Sequence, residues 1–216
     1  SWFVVFRKPG TGNVKGKNFP EMKAVQELVG PWDVQFDPHW FYPDNGTGGK
    51  VRFDQLVDWT KRPEEAIKYY SGISVYKMTF DIQSKSENQK MVLALGELNN
   101  LARVRLNGRD LGVVWTAPWQ VEIPDGLLKP VGNELEIEVA NLWPNRLIGD
   151  ATLPPDKRRT VTNVATYEPV DSEGFRNINS WARGSCKSCS ERMKTGKPAE
   201  LLPSGLVGPV RVMAEE

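Results

Sequence analysis

Tryptophans next to polar residues mark the part of the sequence best suited to binding. Trp115 and Trp119 bracket a Thr-Ala-Pro turn, and Trp143 opens the run Trp-Pro-Asn-Arg-Leu-Ile-Gly-Asp. An indole ring can cover the apolar C–H face of a sugar while amide, carboxylate and guanidinium groups bond its hydroxyls. The sequence therefore predicts a sugar-binding site formed by Trp115, Trp119, Asn145, Arg146 and Asp150. The alternative is that these tryptophans pack in the core or against another domain, because tryptophan is well buried on average.

Motifs for hydrolytic or phosphoryl-transfer catalysis are missing from the sequence. It contains no Walker loop, no G-x-S-x-G elbow and no H-E-x-x-H motif. A serine triad would have to use His39, the single histidine, and nothing near it resembles a nucleophile turn. A glycosidase needs two carboxylates, but acids are too common for one sequence to show which of them pair. No catalytic residue is therefore assigned.

The two cysteines, Cys186 and Cys189, form a Cys-x-x-Cys pair in a polar stretch. Such a pair can be half of a zinc site, a redox motif, or an incidental or locally bridged pair. Zinc needs four ligands and the only histidine is far away in sequence, while a thioredoxin-like motif would need a βαβ setting. The incidental or locally bridged pair is therefore favoured, and no metal site is predicted.

Charge and hydropathy exclude two classes of protein. Lys+Arg 28 against Asp+Glu 27 gives a net charge of +1, so no overall field attracts nucleic acid or an anionic membrane. The longest apolar runs, such as residues 91–95, are far short of the roughly 18 residues of a membrane-spanning helix. A hydrophobic content of 39% is ample for a packed core. We expect a folded protein with no nucleic-acid partner and no membrane insertion.

The elements that must position these residues are mostly strands. Apolar and polar residues alternate over residues 76–82 and 134–139, which is typical of a strand with one wet face. Asn107-Gly108 separates two further strand-like runs and predicts a hairpin over residues 103–114. The other predicted strands are residues 1–6, 32–36, 91–95, 119–123 and 209–213. Helix is predicted only at residues 63–70, so the expected fold is an all-β antiparallel sandwich with one short helix.

The chain is expected to form a single module over residues 1–216. Residues 144–203 depart from the strand pattern because they are polar and rich in Pro, Gly, Arg and Asn, which predicts a long irregular loop inserted in the module. The first residues already have the pattern of a strand, without an initiator Met or a leader. We therefore expect the chain to be a piece of a larger enzyme.

A longer pattern resembles a known family. It runs through Val-Arg-Leu-Asn-Gly-Arg-Asp-Leu-Gly at 104–112, Trp-Gln-Val-Glu-Ile at 119–123 and Gly-Asn-Glu-Leu-Glu-Ile-Glu-Val-Ala-Asn at 132–141. This order resembles the sugar-binding jelly roll of family 2-type glycoside hydrolases. Further segments extend the likeness over most of the chain, namely residues 3–7, 53–60, 67–72, 141–150 and 204–210. Together they resemble the C-terminal β-sandwich of bacterial α-L-rhamnosidases of glycoside hydrolase family 106.

The resemblance implies a jelly roll of the galactose-binding-like type beside a separate (α/β)8 catalytic barrel. Its partners would be the catalytic domain of the same parent chain and carbohydrate. It also implies secretion to the periplasm or cell surface, where a disulfide between Cys186 and Cys189 would be permitted. Structural calcium is frequent in such domains, but no residue pattern here supports it, and no other cofactor is expected.

Three functions follow from these observations. The leading hypothesis is a non-catalytic carbohydrate-binding or accessory module of a glycoside hydrolase resembling the rhamnosidases. The second is a purely structural domain that never contacts sugar. The third, a self-contained glycosidase, is disfavoured by the missing catalytic site.

Overall fold

The protein is built from twelve strands and two short α-helices within the residues that the structure describes. This computed structural model describes residues 21–44, 46–82, 89–151, 153–160 and 200–215. The strands are β1 (Met22–Glu27), β2 (Trp32–Phe36), β3 (Lys50–Phe53), β4 (Ile73–Phe80), β5 (Met91–Ala94), β6 (Glu97–Leu98), β7 (Leu101–Leu106), β8 (Arg109–Val114), β9 (Gln120–Ile123), β10 (Asn133–Ala140), β11 (Leu206–Gly208) and β12 (Arg211–Glu215). The helices are α1 (Glu65–Lys68) and α2 (Pro144–Ala151).

Two antiparallel sheets enclose one hydrophobic core, which confirms the predicted all-β class. The larger sheet has the strand order β3-β2-β4-β10-β7-β8, and the smaller sheet has the order β1-β12-β5-β9. A third, two-stranded pair joins β11 to β6. Buried residues of both large sheets belong to the same core cluster, for example Ile137 of β10 and Leu93 of β5. The architecture is therefore a sandwich of two open sheets.

The predicted alternation of strand residues is confirmed in the two central strands of the larger sheet. Along β10, Leu135, Ile137 and Val139 are buried, and in β4 Tyr76 and Phe80 are buried. The hairpin of β7 and β8 is also present, and Asn107 and Gly108 take φ angles of 52° and 78°. Two consecutive positive φ angles are what a tight two-residue hairpin turn requires. The predicted strand at residues 1–6 lies outside the described residues.

The segment predicted as irregular loop begins with regular structure. Helix α2 occupies Pro144–Ala151, and a 3₁₀ turn follows at Pro155–Lys157. The sequence analysis did not predict α2, because most of the side chains that α2 buries are polar and the segment therefore lacks the apolar spacing by which a helix is recognised. Residues 161–199 of the predicted loop lie outside the described part of the chain.

The core is centred on aromatic side chains around Trp59. Trp59 and Tyr76 are both fully buried, and the indole Nε1 of Trp59 donates a hydrogen bond of 2.5 Å to the Tyr76 hydroxyl. Gly205 lies against the same indole, where an added Cβ would come within 2.3 Å of Trp59 Nε1. Tyr70 packs edge-on against Trp59, with ring centroids 5.6 Å apart. These contacts hold the 3₁₀ turn Trp59–Lys61 against the larger sheet. They also hold Gly205, the residue just before β11, against that turn.

No helix in the described residues is long and apolar enough to cross a membrane.

Replacing Tyr76 by Phe should lower the free energy of unfolding by about 1–3 kcal/mol, because it leaves the buried Trp59 Nε1–H without an acceptor. Chemical denaturation monitored by circular dichroism measures this change. Tyr42→Phe is the matched control, since Tyr42 lies outside the core cluster and should change stability by less than about 0.5 kcal/mol. Equal effects of the two substitutions would contradict the importance of the Trp59–Tyr76 bond.

Stability should fall between about pH 10 and pH 12. Burial raises the pKa of Tyr70 to about 12 and also raises the pKa of Tyr76. Unfolded tyrosine ionises near pH 10, so above this pH the unfolded chain releases protons that the folded chain still holds. The contribution of these groups is therefore fully present below about pH 10 and is lost as the pH rises through their folded pKa values.

Absorbance at 295 nm, recorded together with circular dichroism, tests this behaviour. Tyr70 and Tyr76 should ionise only as the chain unfolds, whereas all five tyrosines should ionise near pH 10 in denaturant. Ionisation of all five near pH 10 in a chain that keeps its native circular dichroism would contradict it.

Candidate functional site

Helix α2 carries three of the five residues predicted to bind sugar. Asn145, Arg146 and Asp150 are all buried, with relative exposures of 2%, 3% and 0%. The i, i+4 spacing places Arg146 and Asp150 on one side of the helix. Gly149 lets this helix approach the Tyr69 ring, since an added Cβ would lie 2.6 Å from Tyr69 Cγ. The sequence therefore buries a charged helix face against the sandwich.

Arg146 and Asp150 form a buried ion pair. Arg146 Nη2 lies 2.5 Å from Asp150 Oδ1, an ionic contact without the geometry of a hydrogen bond. Asp150 Oδ2 accepts hydrogen bonds from the backbone N–H groups of Arg159 and Thr160, at 3.1 and 2.8 Å, and from the Thr160 hydroxyl at 2.7 Å. Asp150 thus compensates the charge of Arg146 and holds the chain after the 3₁₀ turn against α2.

The side-chain amide of Asn145 forms hydrogen bonds with residues 202 and 204 of the same chain. Its Nδ2 donates to the Leu202 carbonyl at 2.7 Å and to the Ser204 hydroxyl at 3.3 Å, while its Oδ1 accepts from the Leu202 N–H at 2.8 Å. The polar groups of Asn145 and Asp150 are therefore turned inward, and their geometry supports a structural role rather than the predicted sugar contact. Arg146 differs, because its Nε and Nη1 are buried and find no hydrogen-bond partner among the described residues.

A small cavity lies beside Arg146. Its volume is about 120 Å³. Its lining residues are Trp40, Ser71, Gly72, Asn141, Trp143, Arg146 and Thr160. Trp143 lines the cavity and is 56% exposed, so it lies at the surface of the molecule.

Hydrogen bonds between two chain segments build one wall of the cavity. Asn141 Nδ2 donates to the Tyr70 carbonyl at 3.0 Å, and the Asn141 backbone N–H donates to the Gly72 carbonyl at 2.9 Å. The Ser71 hydroxyl donates to the Leu142 carbonyl at 2.5 Å. These hydrogen bonds join residues 70–72, which follow α1, to residues 141–142, which lie between β10 and α2.

The structure separates the remaining two predicted residues from this cavity. Trp115 follows β8 and is 65% exposed, whereas Trp119 is partly buried and packs against the core. Neither tryptophan lines the cavity beside Arg146. The sequence prediction therefore combined two separate surfaces, and sugar contact through Trp115 or Trp119 stays a prediction.

Trp115 belongs to an exposed apolar row on the outer face of the larger sheet, which we call the apolar edge patch. Ala140 of β10 is paired with Ile73 of β4 on one side and with Leu101 of β7 on the other. Trp115 follows Val114, the partner of Ala102, and so lies at the same end of the sheet. Ile73, Leu101 and Trp115 are 55%, 40% and 65% exposed, and Val113 beside them is 52% exposed. An exposed apolar patch of this kind marks an interaction surface.

Several side chains on the rest of the same sheet face are charged. Arg105 donates to Glu136 and Glu138 at 2.6 and 2.5 Å, and Arg103 pairs with Asp110. The hydrogen bond from Arg103 lowers the pKa of Asp110 to about 2, and a bond from Lys77 lowers the pKa of Glu136. These carboxylates stay ionised, so the apolar edge patch is bordered by fixed charges.

The structure bears on the metal prediction only within the described residues, and it does not describe the two cysteines. In the described ranges, no group of three or more His, Cys, Asp or Glu residues is placed to hold a metal ion. Cys186 and Cys189 lie outside the described residues. The disulfide therefore stays a prediction, and structural calcium stays an untested hypothesis that no residue pattern supports.

The sequence analysis singled out Arg146 and Trp143 of the residues that line this cavity, but it missed three others. Trp40, Ser71 and Thr160 reach the cavity from separate parts of the chain. The Tyr-Tyr-Ser-Gly run at residues 69–72 belonged to the recognised pattern, and this was the only signal for Ser71.

One family model matches the middle of the chain. The family described as glycosyl hydrolase 2 galactose-binding domain-like matches residues 61–164. These residues include α1, the central strands of the larger sheet and helix α2.

Two longer proteins match nearly the whole chain. A protein of Formosa agariphila named "Putative beta-glucuronidase" is 37% identical over 94% of this chain and 17% of its own length. The structure of a rhamnosidase from Novosphingobium sp. PP1Y superposes with a TM-score of 0.72 at 31% identity, over 97% of this chain and 17% of that chain. The chain thus spans about a sixth of the length of these relatives.

Replacing Asp150 by Asn should lower the free energy of unfolding by about 3–5 kcal/mol, because it leaves the buried Arg146 without a counter-charge. Asp156→Asn, at an exposed carboxylate of the 3₁₀ turn, is the matched control and should change stability by less than about 0.5 kcal/mol. The double change Arg146→Met with Asp150→Asn should recover most of the loss, because it removes the uncompensated buried charge and keeps an acceptor for residues 159–160. Denaturant titration gives all three values, and a cost below about 1 kcal/mol for Asp150→Asn would contradict a buried ion pair.

Proposed function

We propose that this chain is a non-catalytic accessory module of a larger glycoside hydrolase, with a galactose-binding-like domain of the glycosyl hydrolase 2 type at residues 61–164. The observation that carries the proposal is the apolar edge patch. Ile73, Leu101, Val113 and Trp115 expose apolar surface together, on a sheet face where several neighbouring side chains form ion pairs. Covering this patch by the catalytic domain of the same parent chain would remove it from water.

The relatives support a parent that cleaves glycosides. Both matched proteins are named as glycosidases, and this chain corresponds to 17% of each. We place the parent with the rhamnosidases, since the Novosphingobium enzyme matches 97% of this chain in three dimensions. On this proposal the catalytic carboxylates belong to the remainder of the parent, and the enzyme works in the periplasm or at the cell surface on carbohydrate.

A purely structural domain is the second candidate. It is favoured by Asn145 and Asp150, whose polar groups are bonded within the chain and hold α2 to residues 159–160 and 202–204. On this reading the domain stabilises the catalytic domain through the apolar edge patch and contacts no sugar.

Leu101→Asp in the full-length parent tests the docking of the apolar edge patch. A buried, unpaired carboxylate in the interface should lower the melting temperature of the parent and expose the domain junction to protease. In the isolated 216-residue chain the same change should alter the free energy of unfolding by less than about 0.5 kcal/mol, because Leu101 is 40% exposed there.

Val131→Asp is the matched control, since Val131 is 68% exposed and lies away from the patch on the loop before β10. It should leave both proteins unchanged. The full-length parent should hydrolyse aryl glycosides, and the isolated chain should not. Turnover by the pure isolated chain, or an unchanged parent carrying Leu101→Asp, would overturn the proposal.

A further inference from the structure

A row of charges crosses the outer face of the larger sheet from edge to edge. Cross-strand pairing places one charged residue of each strand beside the next, from β3 through β2, β4, β10 and β7 to β8. The sign alternates at every step of this charged row, which consists of Arg52, Asp33, Lys77, Glu136, Arg105 and Asp110. Positive and negative members are equal in number, so the charged row has no net charge.

Ion pairs between its own members hold the middle of the charged row. Lys77 Nζ lies 2.8 Å from Glu136 Oε2, and Arg105 Nη1 lies 2.6 Å from Glu136 Oε1. The Lys77 side chain is still 60% exposed. Pairing along the sheet therefore defines the positions of the charges and leaves them accessible to a partner above the sheet.

Two grooves lie along the charged row. One has a volume of about 750 Å³ and is lined by members of the row, among them Arg52 and Lys77, and by Val75. Val75 lies between Lys77 and Ile73 on the same face of β4, so this groove leads from the charged row towards the apolar edge patch. The other, of about 410 Å³, borders Thr79 on the opposite side of Lys77. Side chains of a partner can enter both grooves.

The area of a stable interface brings the charged row under whatever covers the apolar edge patch. A standard interface takes about 800 Å² from each partner, which is a disc with a radius of about 16 Å. Lys77 is four residues from Ile73 along β4, a distance of about 13 Å at about 3.3 Å per residue. A domain centred on the apolar edge patch therefore reaches the charged row.

The charged row restricts the chemistry of the surface that docks on it. An apolar cover would take the charges out of water without compensation, which is costly. Like charges that face each other across an interface are also unfavourable. Because the charged row has no net charge, it gives no long-range attraction, and its effect is to select one register of docking.

The length of the relatives indicates what docks on this face. This chain corresponds to 17% of each matched protein, so most of a parent of that length lies outside it. A second copy of the chain is the alternative, because an alternating row read in the reverse direction is its own complement. A second copy would have to displace the catalytic domain from the apolar edge patch, since the patch and the charged row share one sheet face.

We propose that the charged row is the polar part of the surface on which the catalytic domain of the parent docks. That domain presents charges in the complementary order, with an acidic group over Lys77 and a basic group over Glu136. The inference rests on the proposed function for the identity of the partner, and it adds the chemistry that the partner's surface must have.

Carboxylate labelling tests whether the charged row is covered. A water-soluble carbodiimide with glycine ethyl ester converts exposed carboxylates into amides, which mass spectrometry locates. Asp33 and Asp110 are exposed in this structure, and they should react at least about fivefold more slowly in the full-length parent than in the 216-residue chain, because a docked interface excludes water. Glu122 of the smaller sheet, with a side chain 65% exposed, is the control and should react equally in both proteins.

Exchanging the charges of the central pair, Lys77→Glu with Glu136→Lys, tests the order of the charges. The exchange keeps an ion pair at the surface but reverses the polarity that a partner meets. It should lower the melting temperature of the 216-residue chain by less than about 4 °C. In the parent, protease should cleave the domain junction at least about tenfold faster, because like charges then face each other across the interface.

The exchange Lys90→Glu with Glu122→Lys is the matched control. These side chains form an exposed ion pair of 3.0 Å on the smaller sheet, away from the charged row. Their exchange should leave the cleavage of the parent junction unchanged.

Equal labelling of Asp33 and Asp110 in the two proteins would overturn the inference, and so would equal effects of the two charge exchanges on the junction. Slow labelling of both carboxylates in the 216-residue chain, together with a dimer in sedimentation, would assign the charged row to a second copy and would also overturn it. The labelling uses the unaltered protein, so it decides even if the exchange at Lys77 and Glu136 does not fold. If Leu101→Asp loosens the junction but the labelling is equal, the patch docks and the charged row stays in water, so the two proposals fail separately.

Discussion

A buried arginine is the constraint on which this end of the molecule depends. Arg146 is removed from water on a helix that packs against the sandwich, so its charge must be met within the chain. Asp150 meets it, and the other oxygen of that carboxylate collects three hydrogen bonds from residues 159–160. Asn145, one residue before Arg146, holds Leu202 and Ser204. One polar helix face thus anchors the chain on both sides of residues 161–199.

The aromatic core supplies the rigid surface against which this helix is held. Asp58 accepts a hydrogen bond from the Ser204 N–H at 3.1 Å, and the Trp59 N–H donates to the Ser204 carbonyl at 3.1 Å. Ser204 therefore links Asn145 of α2 to the turn that begins at Trp59. Since Trp59 is itself bonded to Tyr76 of the larger sheet, the polar helix and the sheet are coupled through a short series of hydrogen bonds.

The fold was largely predictable because its strands obey a local rule. Strands such as β10 bury every second side chain, and the Asn107-Gly108 turn requires a backbone conformation that few other residues adopt. β1 was missed because its burial does not alternate, and α2 was missed because three of the side chains it buries, Asn145, Arg146 and Asp150, are polar and only Leu147 beside them is a large apolar residue. The cavity could not be predicted, since Trp40, Ser71 and Thr160 meet only through long-range contacts.

The residues that the sequence analysis assigned to one site lie on two surfaces with different chemistry. The apolar edge patch offers apolar area without hydrogen-bonding groups, which suits permanent contact with another protein surface. The cavity beside Arg146 is small, and its described lining combines polar side chains with the indole of Trp143. Both surfaces lie next to the junction of β10 with α2, so a catalytic domain docked on the patch would also lie close to this cavity.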